Sequence, residues 1–239
     1  MDPRLSVVDR RLERVGRILA VTGGKGGIGK TLVASTLALA LAESGRRTGL
    51  LDLDLTGPSD HVVLGVEPGF PREEFGVEPP EIHGVRFMSI TCFAGDTPAP
   101  LRGSDVTDAL LELLAITSWG ELDTLVLDMP PGLGDAMLDA VRLVGRAEHL
   151  VVATASRVVL ETVRKNLQLL LRMGASVAGV VENMSRDGSA RVREEAEERG
   201  VPFLGVLPFD EDVEAATGDP ARLLGTRVGA AVRELARSL

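Results

Sequence analysis

Two lysines stand five residues apart in a run of glycines. Gly24-Lys25-Gly26-Gly27-Ile28-Gly29-Lys30-Thr31 fits the spacing G-x-x-x-x-G-K-[ST]. Glycines let backbone N–H groups turn inward around an anion. A helix opening at Lys30 would aim the positive end of its dipole at the same point. This is chemistry for gripping a phosphate chain, and the residues from Gly24 to Thr31 are the candidate cradle. Lys30 is expected to reach the β- and γ-phosphates of ATP, and Thr31 to offer its hydroxyl to Mg²⁺.

Lysine is otherwise rare. Of 26 Lys and Arg residues, only Lys25, Lys30 and Lys165 are lysine. Lysine is a compact charge on a flexible stem, which arginine does not replace. Lys25 is not demanded by the ordinary motif and stands too close to Lys30 to repeat its contact easily. It is expected to project outward, toward a nucleotide held by a second copy of the chain.

Two acidic segments follow. Leu50-Leu51-Asp52-Leu53-Asp54 reads as a strand end whose alternation puts both carboxylates on one side. Asp54 is assigned to orienting the attacking water and Asp52 to supporting the magnesium shell, with turn capping as the alternative for Asp52. Leu125-Val126-Leu127-Asp128 is an apolar strand ending in an acid, the position that holds magnesium in phosphate-loop folds. Pro130, Pro131, Gly132 and Gly134 then suit a segment with two defined positions. Asp135 is expected to cap the next helix.

Elements must carry these residues. Apolar runs occur at Ile18–Thr22, Thr48–Leu53, Val85–Ile90, Thr124–Leu127, Leu150–Thr154, Val177–Val181 and Phe203–Leu207. Helical patterns lie at Lys30–Ser44, Ser104–Thr117, Asp135–Arg146, Arg157–Met173, Ala190–Arg199 and Ala221–Leu239. Alternation of this kind, with continuously apolar strands, predicts an α/β fold: one three-layer domain with a mainly parallel, twisted sheet flanked by helices. Residues 1–16 are expected to be an N-terminal extension and 17–239 the nucleotide-binding domain. The proline-bearing stretch Gly65–Gly84 reads as a surface excursion. Ligands of such sheets sit at the carboxyl ends of the strands, where the motifs fall.

Composition narrows the partners. A net charge of −9 over 239 residues argues against broad nucleic-acid binding. One cysteine, Cys92, permits no internal disulfide and reads as a small buried hydrophobe. The first seventeen residues lack an apolar core segment, and no apolar run approaches a bilayer span. A cytoplasmic protein without a membrane span is the expectation. His61, His83 and His149 are scattered and read as structural.

With these residues assembled, the chain resembles the Mrp (ApbC-type) ATPases, relatives of the MinD and ParA switches. Lys25 to Thr31 is similar to their variant phosphate loop, and Asp52-Leu53-Asp54-Leu55-Thr56-Gly57-Pro58-Ser59 to their D-x-D-x-x-G-P-S segment. Leu101-Arg102-Gly103 resembles a W-R-G element. Trp119-Gly120-Glu121-Leu122-Asp123 and Asp128 to Asp135 match W-G-x-L-D…D-x-P-P-G-x-G-D. Val163-Arg164-Lys165 and Glu182-Asn183-Met184-Ser185 fall on further family positions. The resemblance implies a homodimer with ATP sandwiched at its interface, Lys25 acting across it, and slow hydrolysis without a client protein. It implies that Asn183 reads the adenine edge and that the loop Pro208-Phe209-Asp210 closes over the base. It also implies work in iron–sulfur cluster assembly. Here the sequence departs: the family's C-x-x-C after E-N-M-S is replaced by a shortened stretch, Arg186 to Arg191, without cysteine. A shared cluster is therefore not expected from these residues. The alternative is a MinD-like positioning switch, with Arg222–Leu239 either packed on the domain or lying in a membrane interface.

Overall fold

The computed structural model describes residues 3–67, 69–74, 76–94, 103–186, 188 and 190–239. The first half of the chain runs α1 (Pro3–Leu12), β1 (Val15–Thr22), α2 (Lys30–Glu43), β2 (Thr48–Asp52), α3 (Asp60–Leu64), β3 (Arg72–Glu73), β4 (Val77–Glu78), β5 (Glu81–Ile82), β6 (Val85–Met88) and α4 (Thr91–Ala94). It continues with α5 (Ser104–Ile116), β7 (Leu122–Asp128), α6 (Asp135–Leu143), β8 (Glu148–Ala153), α7 (Arg157–Arg172) and β9 (Ser176–Ser185). The last elements are α8 (Arg191–Glu197), β10 (Phe203–Pro208), α9 (Asp212–Ala216), α10 (Pro220–Gly225) and α11 (Arg227–Ser238).

Eight strands form one sheet in the order β10-β9-β8-β1-β7-β2-β6-β5. All neighbours are parallel except β5, which turns back on β6. β2 is buried along its whole length and β7 everywhere but Asp123, because helices cover the sheet: α2 lies over β1, β2 and β7 and carries α11 beside it, while α7 packs on β8 and β9. The α/β architecture expected from the apolar runs is thus present, with β3 and β4 making a small separate ribbon inside the excursion after β2.

Several boundaries differ from the sequence reading, each for a local reason. β1 starts at Val15, not Ile18, because Val15 pairs with Leu122 and is buried. α1 docks on α5, burying Val8 and Leu12, so the first residues contribute to the core. β9 runs on to Ser185, since Phe209 N–H donates to the Ser185 carbonyl and extends the edge. The final helical pattern is two helices. Thr226 caps the second by accepting from the Gly229 N–H, and Asp219 caps the first by accepting from the Arg222 N–H. The apolar stripe of α11, Val228, Val232, Leu235 and Ala236, is buried against α2 and β10, so the packed alternative for this segment holds. No helix among the described residues is long and apolar enough to cross a membrane.

Trp119 explains part of its motif without chemistry. The ring is fully buried and rests on Gly49, where a Cβ would come within 2.9 Å of it. Asp123 and Glu121 hold Arg47 at the opposite end of the sheet from the phosphate loop, with 2.6 Å and 2.8 Å ion pairs. Leu101 and Arg102 of the W-R-G-like element lie outside the described residues; Gly103 precedes α5.

Candidate functional site

The phosphate loop follows the buried end of β1 and delivers the chain into α2. Gly29 sits at the helix N-cap with φ +81°, and Gly27 at φ +79°, a left-handed backbone that other residues adopt only with strain. Gly24 has a different reason to be glycine: a Cβ there would stand 2.6 Å from the Thr162 carbonyl oxygen, so the loop lies directly on α7. Asn166 of the same helix donates to the Thr22 hydroxyl at 3.3 Å.

Three strands converge on the far side of the loop. Asp128 ends β7 and pairs in register with Val21 of β1 and Asp52 of β2. Parallel neighbours in register present side chains to the same face, so the two carboxylates are adjacent. Lys30 Nζ donates to Asp128 Oδ1 at 2.6 Å, and the Thr31 hydroxyl donates to Oδ2 at 2.7 Å. The sequence reading assigned these three residues to one phosphate and magnesium site, and the fold brings them together.

Asp52 is buried and already well supplied with donors. Its Oδ1 accepts from the Asp54 N–H at 3.0 Å and its Oδ2 from the Ser59 N–H at 3.1 Å. The carboxylate thus ties the strand end to the start of α3, the capping alternative, while standing beside Asp128. Asp54 is not on the strand, which stops at Asp52. It occupies the following turn, where its Oδ1 accepts from the Thr56 hydroxyl at 2.9 Å and the Gly57 N–H at 3.1 Å. Asp54 and Asp52 therefore do not share a strand face, as alternation had suggested. Asp135 does not cap α6 either; Gly134 holds the N-cap position, and Asp135 is an exposed acid in the first turn.

Sequence reasoning missed a third carboxylate. Asp60, in the first turn of α3, is fully buried, and its Oδ1 accepts from Ser35, one turn beyond Thr31 on α2. Oxygens of Asp52, Asp60 and Asp128 lie within 4.8 Å of one another. Asp60 Oδ2 is buried with no hydrogen-bond partner. Burial, with Asp128 nearby, raises the Asp52 carboxyl to about 7. Burial together with the charges of Asp128 and Asp52 holds Asp60 well above the ordinary range. Burial raises Asp128 too, against the pull of Lys30. A concentration of buried oxygen ligands with one unpartnered member and one lysine fits a hard divalent cation such as Mg²⁺. Only an unremarkable Ser-Asp dipeptide at a helix start marked Asp60 in the sequence.

Asn183 closes the other side. It is buried at the end of β9 and donates from Nδ2 to the Ile28 carbonyl at 2.9 Å, fastening the phosphate loop to the sheet. Beyond it lies a cavity of about 390 Å³ lined by Leu32, Asn183, Met184, Pro208, Phe209 and Val228, with acids at its rim. Arg186 stacks on one wall residue, its guanidinium 4.0 Å from the centroid of the Phe209 ring. A flat heterocycle would have apolar walls and an amide edge here. Lys25 is exposed and lines a separate cavity of about 500 Å³ with Ser156, Glu182, Met184 and Arg186. Lys165 lies outside both, on the exposed face of α7, 3.6 Å from Glu161. Cys92 is buried on α4, and burial pushes its thiol above the usual value. His149 is buried in β8, as its structural assignment requires.

Known proteins share this fold. The family model described as ParA, NUBPL iron-transfer P-loop NTPase, matches residues 14–237. An iron-sulfur cluster carrier protein of Pseudomonas fragi is 43% identical over 178 residues, covering 73% of this chain and 62% of its own. One of Saccharolobus solfataricus is 34% identical over 232 residues, covering 89% and 78%. The chain thus spans just under two thirds of the first relative's length. Among solved structures, a nucleotide-binding protein of Archaeoglobus fulgidus in complex with ADP superposes with TM-score 0.77 at 28% identity, over 92% of each chain. The cell-division ATPase MinD of Pyrococcus furiosus shares the fold, with TM-score 0.70 and 24% identity over 94% of this chain and 98% of its own. With a phosphate loop on β1, acids at the tips of β2 and β7, and a family match over almost its entire length, the chain belongs to the ParA-type NUBPL iron-transfer P-loop NTPases.

Proposed function

We propose that the chain is an ATP-binding and slowly hydrolysing switch that serves iron–sulfur cluster assembly on client proteins. The observation that carries this reading is the contact of Lys30 and Thr31 with the two oxygens of one buried carboxylate, Asp128, beside a base-sized cavity. Gly24 to Thr31 bind the phosphates of ATP, with Lys30 leaving Asp128 for the β- and γ-phosphates. Asn183 and Pro208 border the adenine. Thr31, Asp52, Asp60 and Asp128 hold Mg²⁺ and its shell. When bound, Mg²⁺ neutralises charge on the phosphate oxygens. Asp54, at the mouth of the site, orients the attacking water once its turn opens. Lys25 reaches the nucleotide of a second copy in a sandwich dimer.

Iron and sulfide are cargo in this reading, and the chain's own donors do not fit a resident cluster. A [4Fe–4S] cluster takes four thiolates. The one cysteine of these 239 residues is buried. Cluster ligands then belong to the client, and this chain contributes nucleotide-dependent shape. The relatives named as cluster carriers favour this over a positioning role.

The test supplies iron, sulfide and an apo iron–sulfur acceptor, with and without the chain and Mg-ATP. Faster acquisition of the cluster only when both are present is expected. Acquisition unchanged by either, together with no heat on titrating Mg-ATP into the chain, would remove the proposal.

A further inference from the structure

Glu182 has no role in the site described above. It lies in the middle of three strands, in register with Ala153 of β8 and Val206 of β10. Its side chain is fully buried, and neither carboxylate oxygen has a hydrogen-bond partner. A buried carboxylate in this condition is costly unless a cation or donor comes to it. Glu182 and Lys25 both belong to the lining of the 500 Å³ cavity beside the phosphate loop. The other cation on that wall, Arg186, is stacked on the Phe209 ring. Lys25 has no ion-pair partner among the described residues, and no atom lies within 4 Å of where a Cβ would stand at its loop neighbours Gly26 and Gly27.

We propose that Glu182 is the resting partner of Lys25: the lysine folds into its own chain's cavity, and this pairing competes with its reach across the dimer. The competitive half of the statement rests on the dimer proposed above; the pairing does not. Two observations join here. The cavity wall includes one buried carboxyl group without a hydrogen-bond partner and one flexible cation without an ion-pair partner among the described residues. The chain also keeps lysine at this position while using arginine almost everywhere else. A flexible stem with a point charge can travel between a carboxylate and a phosphate, which a rigid planar fork does less readily. Glu182 is thus a positioning residue. It acts through Lys25, holding the cation inside until a partner's phosphates draw it away, so that two copies without triphosphate do not associate.

Three lysines make the experiment direct. Protein labelled with ¹³C at lysine gives one set of Cε signals each from Lys25, Lys30 and Lys165, assigned with K25M and K165R. E182Q is expected to move the Lys25 signal and leave that of Lys165 in place. K25M is expected to lower the melting temperature by stranding the carboxylate, and K25M with E182Q to recover it. Sedimentation with Mg-ATPγS is expected to show E182Q dimerising at about tenfold lower concentration than the wild type, a mid-range coupling for contacting residues. A stationary Lys25 signal with additive melting temperatures overturns the pairing, whatever the dimer does. A signal that moves while E182Q dimerises equally or more weakly overturns the competition. A wild-type chain that stays monomeric with Mg-ATPγS overturns the dimer, leaving the pairing to be decided by the first two measurements.

Discussion

Lys30 Nζ lies 2.6 Å from Asp128 Oδ1, with side-chain exposures of 8% and 1%. This lysine is the only cation paired with the cluster of Asp52, Asp60 and Asp128 among the described residues. A buried pair is weak evidence of net stabilisation, yet removing one partner is expensive because the other charge is stranded.

Lys30→Met should therefore unfold the protein more easily, by about 3–5 kcal/mol, and should weaken ATP binding about a hundredfold or more. Urea titrations check the first and calorimetry the second. Millimolar Mg²⁺ should return part of the lost stability, since a divalent cation can replace the ammonium among the carboxylates. Unchanged stability would show that the cluster is neutral without Lys30.

The phosphate loop offers a controlled comparison between two glycines of nearly equal conformation. Gly27 has φ +79° and nothing within 4 Å of where an alanine methyl would stand, whereas a methyl at Gly29, φ +81°, would overlap the amide of Asn183. Gly27→Ala should cost only the left-handed backbone penalty, about 1–2 kcal/mol. Gly29→Ala should cost about 1 kcal/mol more, because the Asn183–Ile28 hydrogen bond must break. It should also weaken adenine nucleotides more than it weakens pyrophosphate. Parallel denaturation and binding titrations read both. Equal losses in the two variants would mean that Asn183 does not hold the loop.

The contrast between these glycines and Asp60 shows what the sequence could reveal. A phosphate loop is local: eight consecutive residues carry glycine positions, lysine and threonine, and the strand and helix around them follow from apolar runs. Asp128 was equally legible, as an acid ending a run of buried apolar residues. Asp60 was not, because its meaning comes from β2, β7 and α2 meeting at one point, and a Ser-Asp step before a short helix reads as ordinary capping. Asp54 was misplaced on a strand because apolar Leu53 continued the pattern after β2 had ended. The break at Thr226 left a signal, Gly225 followed by a hydroxyl residue, that an amphipathic stripe across both helices concealed.

Another glycine couples the D-x-D-x-x-G-P-S segment to the C-terminal region. Gly65 ends α3 at φ +67°, and a methyl there would fall on the Gly218 carbonyl oxygen; Gly218 N–H donates to the Val63 carbonyl at 3.2 Å. The obstacle is backbone, which cannot rotate aside. Gly65→Ala should cost about 2–4 kcal/mol, the left-handed penalty plus overpacking. Its heat of Mg-ATP binding should fall as well, since α3 carries Asp60. A loss below about 1 kcal/mol in chemical denaturation would show that the two loops move apart freely.

His149 supplies the pH dependence that can be isolated. It is 1% exposed, its Nδ1 lacks a partner, and burial lowers its imidazole to about 4. The unfolded chain titrates near 6.5, so between about 4 and 6.5 the unfolded state binds the extra proton. The contribution is complete above about pH 6.5 and is lost as pH falls toward about 4. Between pH 7 and pH 5 it amounts to about 2 kcal/mol. Asp52 opposes it over the same range: a carboxyl raised to about 7 keeps its proton in the folded state, so its contribution falls as pH rises. The raw profile is therefore shallow. The difference between wild type and His149→Gln removes Asp52 from the comparison, because both proteins keep it. Urea denaturation at the two pH values should show the wild type losing about 2 kcal/mol more than the variant on acidification. Identical slopes would place the imidazole in contact with water, against its burial between β1 and β9.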